Sequence, residues 1–168
     1  MHPLRKLIFD EKLLSSLAET YGTPLYIYSQ ERITENVLNL KNALNKHFEK
    51  FHICYAIKSN SNPHLIKTMR EAFPKIGGDC SSPGEIYAAE LSGIDPSDCI
   101  YTGNYESPSD LKKALTKQCN VNLDDITSLN RIKKIGLPKR ISFRMNPGFG
   151  GGSYSCLLYT SDAADERN

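Results

Sequence analysis

Lys58 stands where an amine could do chemistry. It follows the largely apolar, β-type run 51–57 and precedes the polar stretch 59–62. An ammonium at the end of a buried strand loses hydration unless a partner compensates for it, and a desolvated lysine with a lowered pKa is suited to forming a Schiff base. The alternative is a lysine whose side chain reaches back to solvent from the strand end. The surrounding sequence favours the reactive amine.

The elements around Lys58 alternate between strand-like and helix-like from residue 25 onward. Ser29, Asn62-Pro63 and the capping box Ser82-Pro83-Gly84-Glu85 each predict the start of a helix. A further helix start is predicted at 107–110, and helices are predicted around 111–117 and 129–135. The predicted strands cover 24–28, 51–57, 76–80, 99–104, 120–125 and 140–145.

Such alternation indicates a parallel sheet with right-handed crossovers, which occurs in open doubly wound sheets and in (β/α)8 barrels. The glycine fingerprint that a nucleotide-binding domain carries after its first strand is absent, because Lys58-Ser59-Asn60-Ser61-Asn62 occupies that place. Periodicity alone leaves both architectures open. About five strands fit between 51 and 155, whereas an intact barrel takes roughly 250 residues, so a barrel would be partial.

Several ordered blocks resemble the fold-type III pyridoxal-phosphate decarboxylases, which act on diaminopimelate, ornithine and arginine. The resemblance spans about residues 12–152 and is greatest to the members that act on diaminopimelate. It implies an α/β fold, a partial (β/α)8 TIM barrel of the alanine racemase-like type. The blocks are Tyr21-Gly22-Thr23-Pro24-Leu25-Tyr26-Ile27-Tyr28, Tyr55-Ala56-Ile57-Lys58-Ser59-Asn60, Asp79-Cys80-Ser81-Ser82-Pro83-Gly84-Glu85, Ile100-Tyr101-Thr102-Gly103-Asn104 and Phe143-Arg144-Met145-Asn146-Pro147-Gly148.

The resemblance also assigns roles. In the family the first barrel strand ends in the lysine that binds pyridoxal 5'-phosphate as a Schiff base, and Lys58 matches that catalytic, cofactor-binding position. Asp79 and Glu85 match two acidic residues near the lysine and cofactor. Arg144 matches a strand-end arginine that would hold such carboxylates by charge-assisted hydrogen bonds. Asp79 and Arg144 are therefore expected to bind the cofactor, with Glu85 in a supporting role.

Each of these assignments has an ordinary structural alternative. Asp79 could bond to turn amides, Arg144 could be a solvated strand end, and the capping box already accounts for Glu85. Asn60 and Asn104 also follow strands whose ends should face the site, but turn bonding explains both equally well. Gly148, Gly150, Gly151 and Gly152 do not serve as the main phosphate loop in the family.

The activity implied by the resemblance is decarboxylation of meso-diaminopimelate to L-lysine, in lysine biosynthesis, by a cytoplasmic homodimer with a small amino-acid substrate. Ornithine, arginine or carboxynorspermidine decarboxylases, and racemases of related barrel type, stay open, because nothing in 1–155 reads the distal end of the substrate. Tyr105-Glu106-Ser107 and Ser81-Ser82-Pro83 also depart from the family's usual form. A non-catalytic pyridoxal-phosphate-binding barrel is a further alternative.

Composition excludes several other classes. The chain has 168 residues, 39% of them hydrophobic and 24% charged, with a formal charge of +2 that gives no reason to expect nucleic acid or a membrane surface. No apolar run reaches the length of a membrane span. Five cysteines without Cys-x-x-Cys spacing fit reduced thiols better than disulfides or a metal site, so no metal is predicted.

The last stretch of the chain has a different character. Residues 156–166 resemble, residue for residue, the translation of a transposase-based sequencing adapter. We therefore expect an N-terminal helical segment over 1–24, the N-terminal part of the barrel over 25–155, and non-native sequence over 156–168. The family's later phosphate-binding loops, pyridine-pairing acid and C-terminal β-domain would lie beyond residue 155, so we expect these 168 residues alone to be inactive.

Overall fold

Five parallel strands and six helices alternate in a computed structural model, which describes residues 10–104 and 106–145. Two short 3-10 turns cover Ile57–Ser59 and Pro96–Asp98. The elements are α1 Glu11–Tyr21, α2 Gln30–Asn45, β1 Cys54–Ala56, α3 Pro63–Ala72, β2 Gly77–Cys80, α4 Pro83–Leu91, β3 Ile100–Tyr101, α5 Pro108–Thr116, β4 Asn120–Leu123, α6 Ile126–Ile135 and β5 Ile141–Phe143.

Short polar side chains determine where the helices begin. Side-chain oxygens of the residues before α2, α3, α4, α5 and α6 accept hydrogen bonds from backbone N–H groups of the first turn. Proline occupies the first helical position of α3, α4 and α5, where its missing N–H is no loss. Helix α6 begins three residues before the predicted Leu129, because Asp125 caps it by accepting a 2.8 Å bond from the backbone N–H of Ser128.

The strand order decides between the two candidate architectures. The sheet runs β1-β2-β3-β4-β5, with every neighbouring pair parallel. A doubly wound sheet reverses its strand order at a switch point, and this sheet does not. Helices α3, α4, α5 and α6 pack side by side in the same sequence, so they form one layer. This arrangement is an arc of a (β/α)8 barrel, as predicted.

The hydrophobic core lies between the sheet and its helices. Along β4, Val121 and Leu123 are buried on the helix side, whereas Asn120 and Asn122 alternate onto the other face. That other face corresponds to the inside of a barrel, and we call it the concave face. The core is built from Ile57, Ile66, Ile76, Cys80, Ile86, Ala89, Tyr101, Leu111, Ala114, Val121, Leu123 and Ile132.

The strand predictions need correction in both position and length. The segment 24–28 is neither strand nor helix, and it pairs with none of the strands among the described residues. Its alternating pattern predicts an extended chain, but a β-strand also requires a neighbouring edge to bond with. Strand β1 is shorter than the predicted 51–57 and ends at Ala56, because the chain turns into the 3-10 helix at Ile57. The strands predicted over 99–104 and 140–145 are also shorter, since β3 covers only Ile100–Tyr101 and β5 only Ile141–Phe143.

Four cysteines occur among the described residues, and all are free thiols. Burial raises the pKa of Cys54 and Cys119 to about 12, so both are neutral at ordinary pH. Cys80 and Cys99 share a hydrogen bond, and the pKa of Cys80 is also raised. No helix in the described part of the chain combines the length and apolar character needed to cross a bilayer.

Candidate active site

Lys58 lies on the 3-10 turn just beyond β1, at the carboxyl end of the sheet. Ile57 before it is fully buried among the core residues, while Lys58 is half-buried. The carboxyl ends of barrel strands carry the active site in enzymes of this architecture. Lys58 therefore has the placement expected of a reactive amine at a barrel mouth.

Asp79 lies next to β1 in the sheet, paired in register with Ala56. Its neighbours Gly78 and Cys80 are buried on the helix side, so the carboxylate projects from the concave face, where it is accessible. Partial burial, and then the charge of Glu85, raise the pKa of Asp79, whereas Lys58 and Arg144 lower it. Glu85, Lys58 and Arg144 thus all lie within electrostatic range of Asp79.

Arg144 follows β5 and is held by both backbone and side chain. Its N–H donates a 2.8 Å bond to the carbonyl of Leu123, which extends the β4–β5 ladder past the end of the strand. Its Nη1 donates to Asn104 Oδ1 at 3.2 Å and lies 3.8 Å from Asp124 Oδ1. The Arg144 side chain is 18% exposed, so the guanidinium is partly withdrawn from water.

The remaining predicted site residues divide into two groups. Asn104 joins the cluster through Arg144, and Glu85 contributes by its charge. Glu85 also caps α4, but its carboxylate accepts from the N–H of Ser81 at 2.9 Å and not from that of the N-cap residue. Asn60 is used structurally: its Oδ1 accepts from the N–H of Asn62, and its Nδ2 donates to the hydroxyl of Tyr28. The turn interpretation therefore fits Asn60.

The sequence prediction missed a row of polar side chains on the concave face. Asn122 Nδ2 donates to Thr102 Oγ1 at 3.1 Å, and Ser142 Oγ donates to Asn122 Oδ1 at 2.8 Å. Asp124, beside Arg144, was also missed. A signal was present, because polar residues occupy every second position of β4 and β5 and of the residues that follow them.

The glycine-rich segment 148–152 and the tail 156–168 lie outside the described residues.

The donor set suits pyridoxal phosphate at its aldehyde end. Lys58 supplies a half-buried primary amine, and the accessible carboxylate of Asp79 supplies a counter-charge for a protonated nitrogen there. Arg144 supplies a cation that can bind a carboxylate. Within the ranges 10–104 and 106–145, no group of three His, Cys, Asp or Glu side chains could hold a metal ion.

Comparison with known proteins agrees with this chemistry. Residues 31–163 match the family model described as pyridoxal-dependent decarboxylase, pyridoxal binding domain. Diaminopimelate decarboxylase of Thermoplasma acidophilum is 37% identical over 142 residues, which cover 84% of this chain and 34% of that protein. The enzyme of the same name from Methanothermobacter thermautotrophicus is 40% identical over 141 residues, covering 82% of this chain and 32% of that protein.

Solved structures show the same relationship. Diaminopimelate decarboxylase from Helicobacter pylori, crystallised with L-lysine, superposes with a TM-score of 0.72 at 33% identity, over 80% of this chain and 34% of that one. The arginine decarboxylase of Paramecium bursaria Chlorella virus superposes with a TM-score of 0.69 at 21% identity, over 84% of this chain and 37% of that one, which shows a shared fold.

The chain spans about a third of the length of the curated relatives it matches. The family model covers most of the chain, and the fold superposes on that of the solved Helicobacter pylori relative. This chain belongs to the pyridoxal-dependent decarboxylases and carries their pyridoxal-binding domain.

Proposed function

We propose that the full-length protein is a pyridoxal-phosphate-dependent decarboxylase that converts meso-diaminopimelate to L-lysine and CO2. The observation that carries this proposal is the cluster of Lys58, Asp79 and Arg144 at the carboxyl edge of β1, β2 and β5. The choice of substrate is supported by the relatives at 37–40% identity that are named diaminopimelate decarboxylase. We further propose that the full-length protein acts as a homodimer in the cytoplasm.

The proposed chemistry gives each residue a task. When bound, pyridoxal phosphate supplies an aldehyde for an amine and a conjugated ring that accepts the electron pair released as CO2 leaves. Lys58 Nζ would hold the cofactor through that aldehyde until the amino group of the substrate replaces it, and the released amine would then deliver a proton to the substrate carbon from which CO2 has left. The Asp79 carboxylate stabilises a positive charge on Lys58 Nζ. Arg144 binds an anionic group by charge-assisted hydrogen bonds.

A direct test of Lys58 uses the full-length protein. It is incubated with pyridoxal phosphate, reduced with borohydride and digested, and the modified peptide is mapped by mass spectrometry. We expect the label on Lys58 and its loss in Lys58→Ala. Lys67→Ala is the matched control, because Lys67 is an exposed lysine on α3. A label on another lysine of the wild-type protein would overturn the assignment.

The substrate is tested separately by measuring CO2 release from meso-diaminopimelate, ornithine and arginine side by side. Faster release from ornithine or arginine would favour polyamine metabolism. Binding of pyridoxal phosphate without CO2 release from any of them, in a protein that ends at the barrel, would favour a non-catalytic binding protein. A β-domain encoded after the barrel argues against that alternative.

We also propose that the chain of 168 residues is inactive alone and that residues 156–168 are not native. The second point is supported by the residue-for-residue resemblance of 156–166 to a translated sequencing adapter. Genomic DNA read beyond codon 155 tests the second point, since native codons continuing unchanged through 156–168 would contradict it. Pyridoxal-phosphate binding by the isolated chain, compared with the full-length protein, tests the first.

A further inference from the structure

We propose that Asp124 is a positioning residue that, together with Asn104, holds the Arg144 guanidinium at the carboxyl edge of β5. From this position the cation acts electrostatically on Asp79. The inference rests on the function proposed above and extends it to a residue that touches no reacting atom.

The register of β4 and β5 brings Asp124 and Arg144 together. Leu123 pairs with Phe143, and the next N–H, that of Arg144, donates to the Leu123 carbonyl at 2.8 Å. Asp124 and Arg144 therefore follow the last paired residues side by side. They continue a set of cross-strand side-chain pairs on the concave face: Arg140 with Asn120 at 2.8 Å and Ser142 with Asn122 at 2.8 Å.

The guanidinium is shared between acceptors on two strand ends. Arg144 Nη1 lies 3.2 Å from Asn104 Oδ1, after β3, and 3.8 Å from Asp124 Oδ1, after β4. The side chains of Arg144 and Asp124 are 18% and 27% exposed, so their attraction is screened less than that of a surface pair. Attraction to both sides keeps the cation between β3 and β4.

Arg144 also acts on Asp79, whose pKa it lowers together with Lys58. One cation is thus within range of two carboxylates, and its location depends on both. Removing the negative charge at Asp124 weakens the attraction on that side, and the guanidinium then shifts toward Asp79. When Arg144 lies closer, its positive charge compensates more of the negative charge of Asp79. Asp79 then stabilises a positively charged nitrogen at Lys58 less well.

The test compares Asp124→Asn, Asp124→Glu and the wild type in the full-length protein. The control is Asp125→Asn at the adjacent position, where the side chain caps α6 and asparagine caps equally well. Two quantities are measured: the pH midpoint of the visible absorbance change of bound pyridoxal phosphate, and kcat/KM for the amino-acid substrate. Circular dichroism checks that each variant is folded.

For Asp124→Asn we expect the absorbance midpoint to fall by about half a pH unit, because Asp79 is more fully neutralised. We expect kcat/KM to fall by about tenfold, and Asp124→Glu to recover part of both quantities. The control should match the wild type.

An Asp124→Asn variant that matches the control in both readouts would overturn the role of Asp124. The role would also be overturned if Asp124→Asn changed both quantities but also lost its folded structure by circular dichroism, and Asp124→Glu recovered neither quantity. A wild-type protein that binds pyridoxal phosphate but releases no CO2 contradicts the proposed function instead. In that case the absorbance midpoint still decides whether Asp124 positions Arg144.

Discussion

The carboxyl group of Asp79 is subject to opposing influences. Burial and the nearby Glu85 raise its pKa, and Lys58 and Arg144 lower it, with burial the largest effect. The net result is an acid whose ionised form is less favourable in the folded protein than in the unfolded chain. Ionisable groups with such shifted pKa values are common in functional sites, where charged side chains are partly buried at some cost in stability.

A pH-dependent stability change is therefore expected for Asp79→Asn in the full-length protein. The pKa of Asp79 in the folded protein lies above the ordinary value of 3.8. Protonation of Asp79 therefore stabilises the folded wild type below pH 3.8, and this stabilisation is lost as the pH rises through the folded pKa. Asparagine stays neutral, so the variant should unfold at higher urea concentration than the wild type at pH 7. This advantage should shrink toward pH 4, while catalytic activity is lost.

The measurement is the urea midpoint at several pH values between 4 and 8. Glu49→Gln is the control, since Glu49 is exposed and its neutralisation should leave the midpoint nearly unchanged. A difference between Asp79→Asn and wild type that is the same at every pH would contradict the assigned cause.

At the scale of elements, β2 depends on a close approach that only glycine permits. A Cβ on Gly77 would lie 2.0 Å from the carbonyl oxygen of Asp98 and 2.6 Å from Nε2 of His52. The same histidine nitrogen lies 3.0 Å from that carbonyl, so the segment before β1 and the 3-10 turn before β3 meet directly beside Gly77. Gly77 therefore fixes the spacing between two neighbouring βα units.

We expect Gly77→Ala to destabilise the protein by about 1–3 kcal/mol, because backbone must move to admit the methyl group. Gly84→Ala is the matched control in the first turn of α4, where a Cβ would meet only Ser82 Oγ at 3.8 Å. That substitution should be neutral or stabilising by up to about 1 kcal/mol. Denaturant unfolding of the full-length variants measures both, and equal stability for the two would show that the approach at Gly77 relaxes easily.

At the scale of the whole molecule, the arc leaves both sheet edges without a strand partner among the described residues. β1 and β5 each pair on one side only in that part of the chain. Near the β5 edge, Phe143 is 42% exposed and Leu137 is 62% exposed. Unpaired edges with apolar neighbours are sites of strand addition between chains.

A chain ending at residue 155 should therefore self-associate when it is expressed alone. We expect sedimentation velocity to show heterogeneous oligomers that grow with concentration, whereas the full-length protein should sediment as one discrete species. A monodisperse monomer with native-like circular dichroism would show that the arc is stable without further strands.

Local interactions were readable from the sequence because they join residues two or three positions apart. The caps at Ser29, Asn62 and Ser82 were predicted and are present. The ordered motifs likewise identified the family and placed Lys58 at a strand end. In the structure the strand ends at Ala56, and Lys58 lies on the 3-10 turn that follows it. The strand predicted over 24–28 failed because its local pattern carries no information about a partner edge.

Only the tertiary structure decided the strand order, the single helix layer and the cross-strand pairs of the concave face. Arg144 reaches Asn104 across 40 positions of sequence, and Asn122 reaches Thr102 across 20. Such contacts depend on which strands are neighbours and in what register, and each strand alone is compatible with many registers. The sequence by itself determined the family and the place of Lys58 after the first sheet strand, whereas the partners of Asp79 and Arg144 were set by strand order and register.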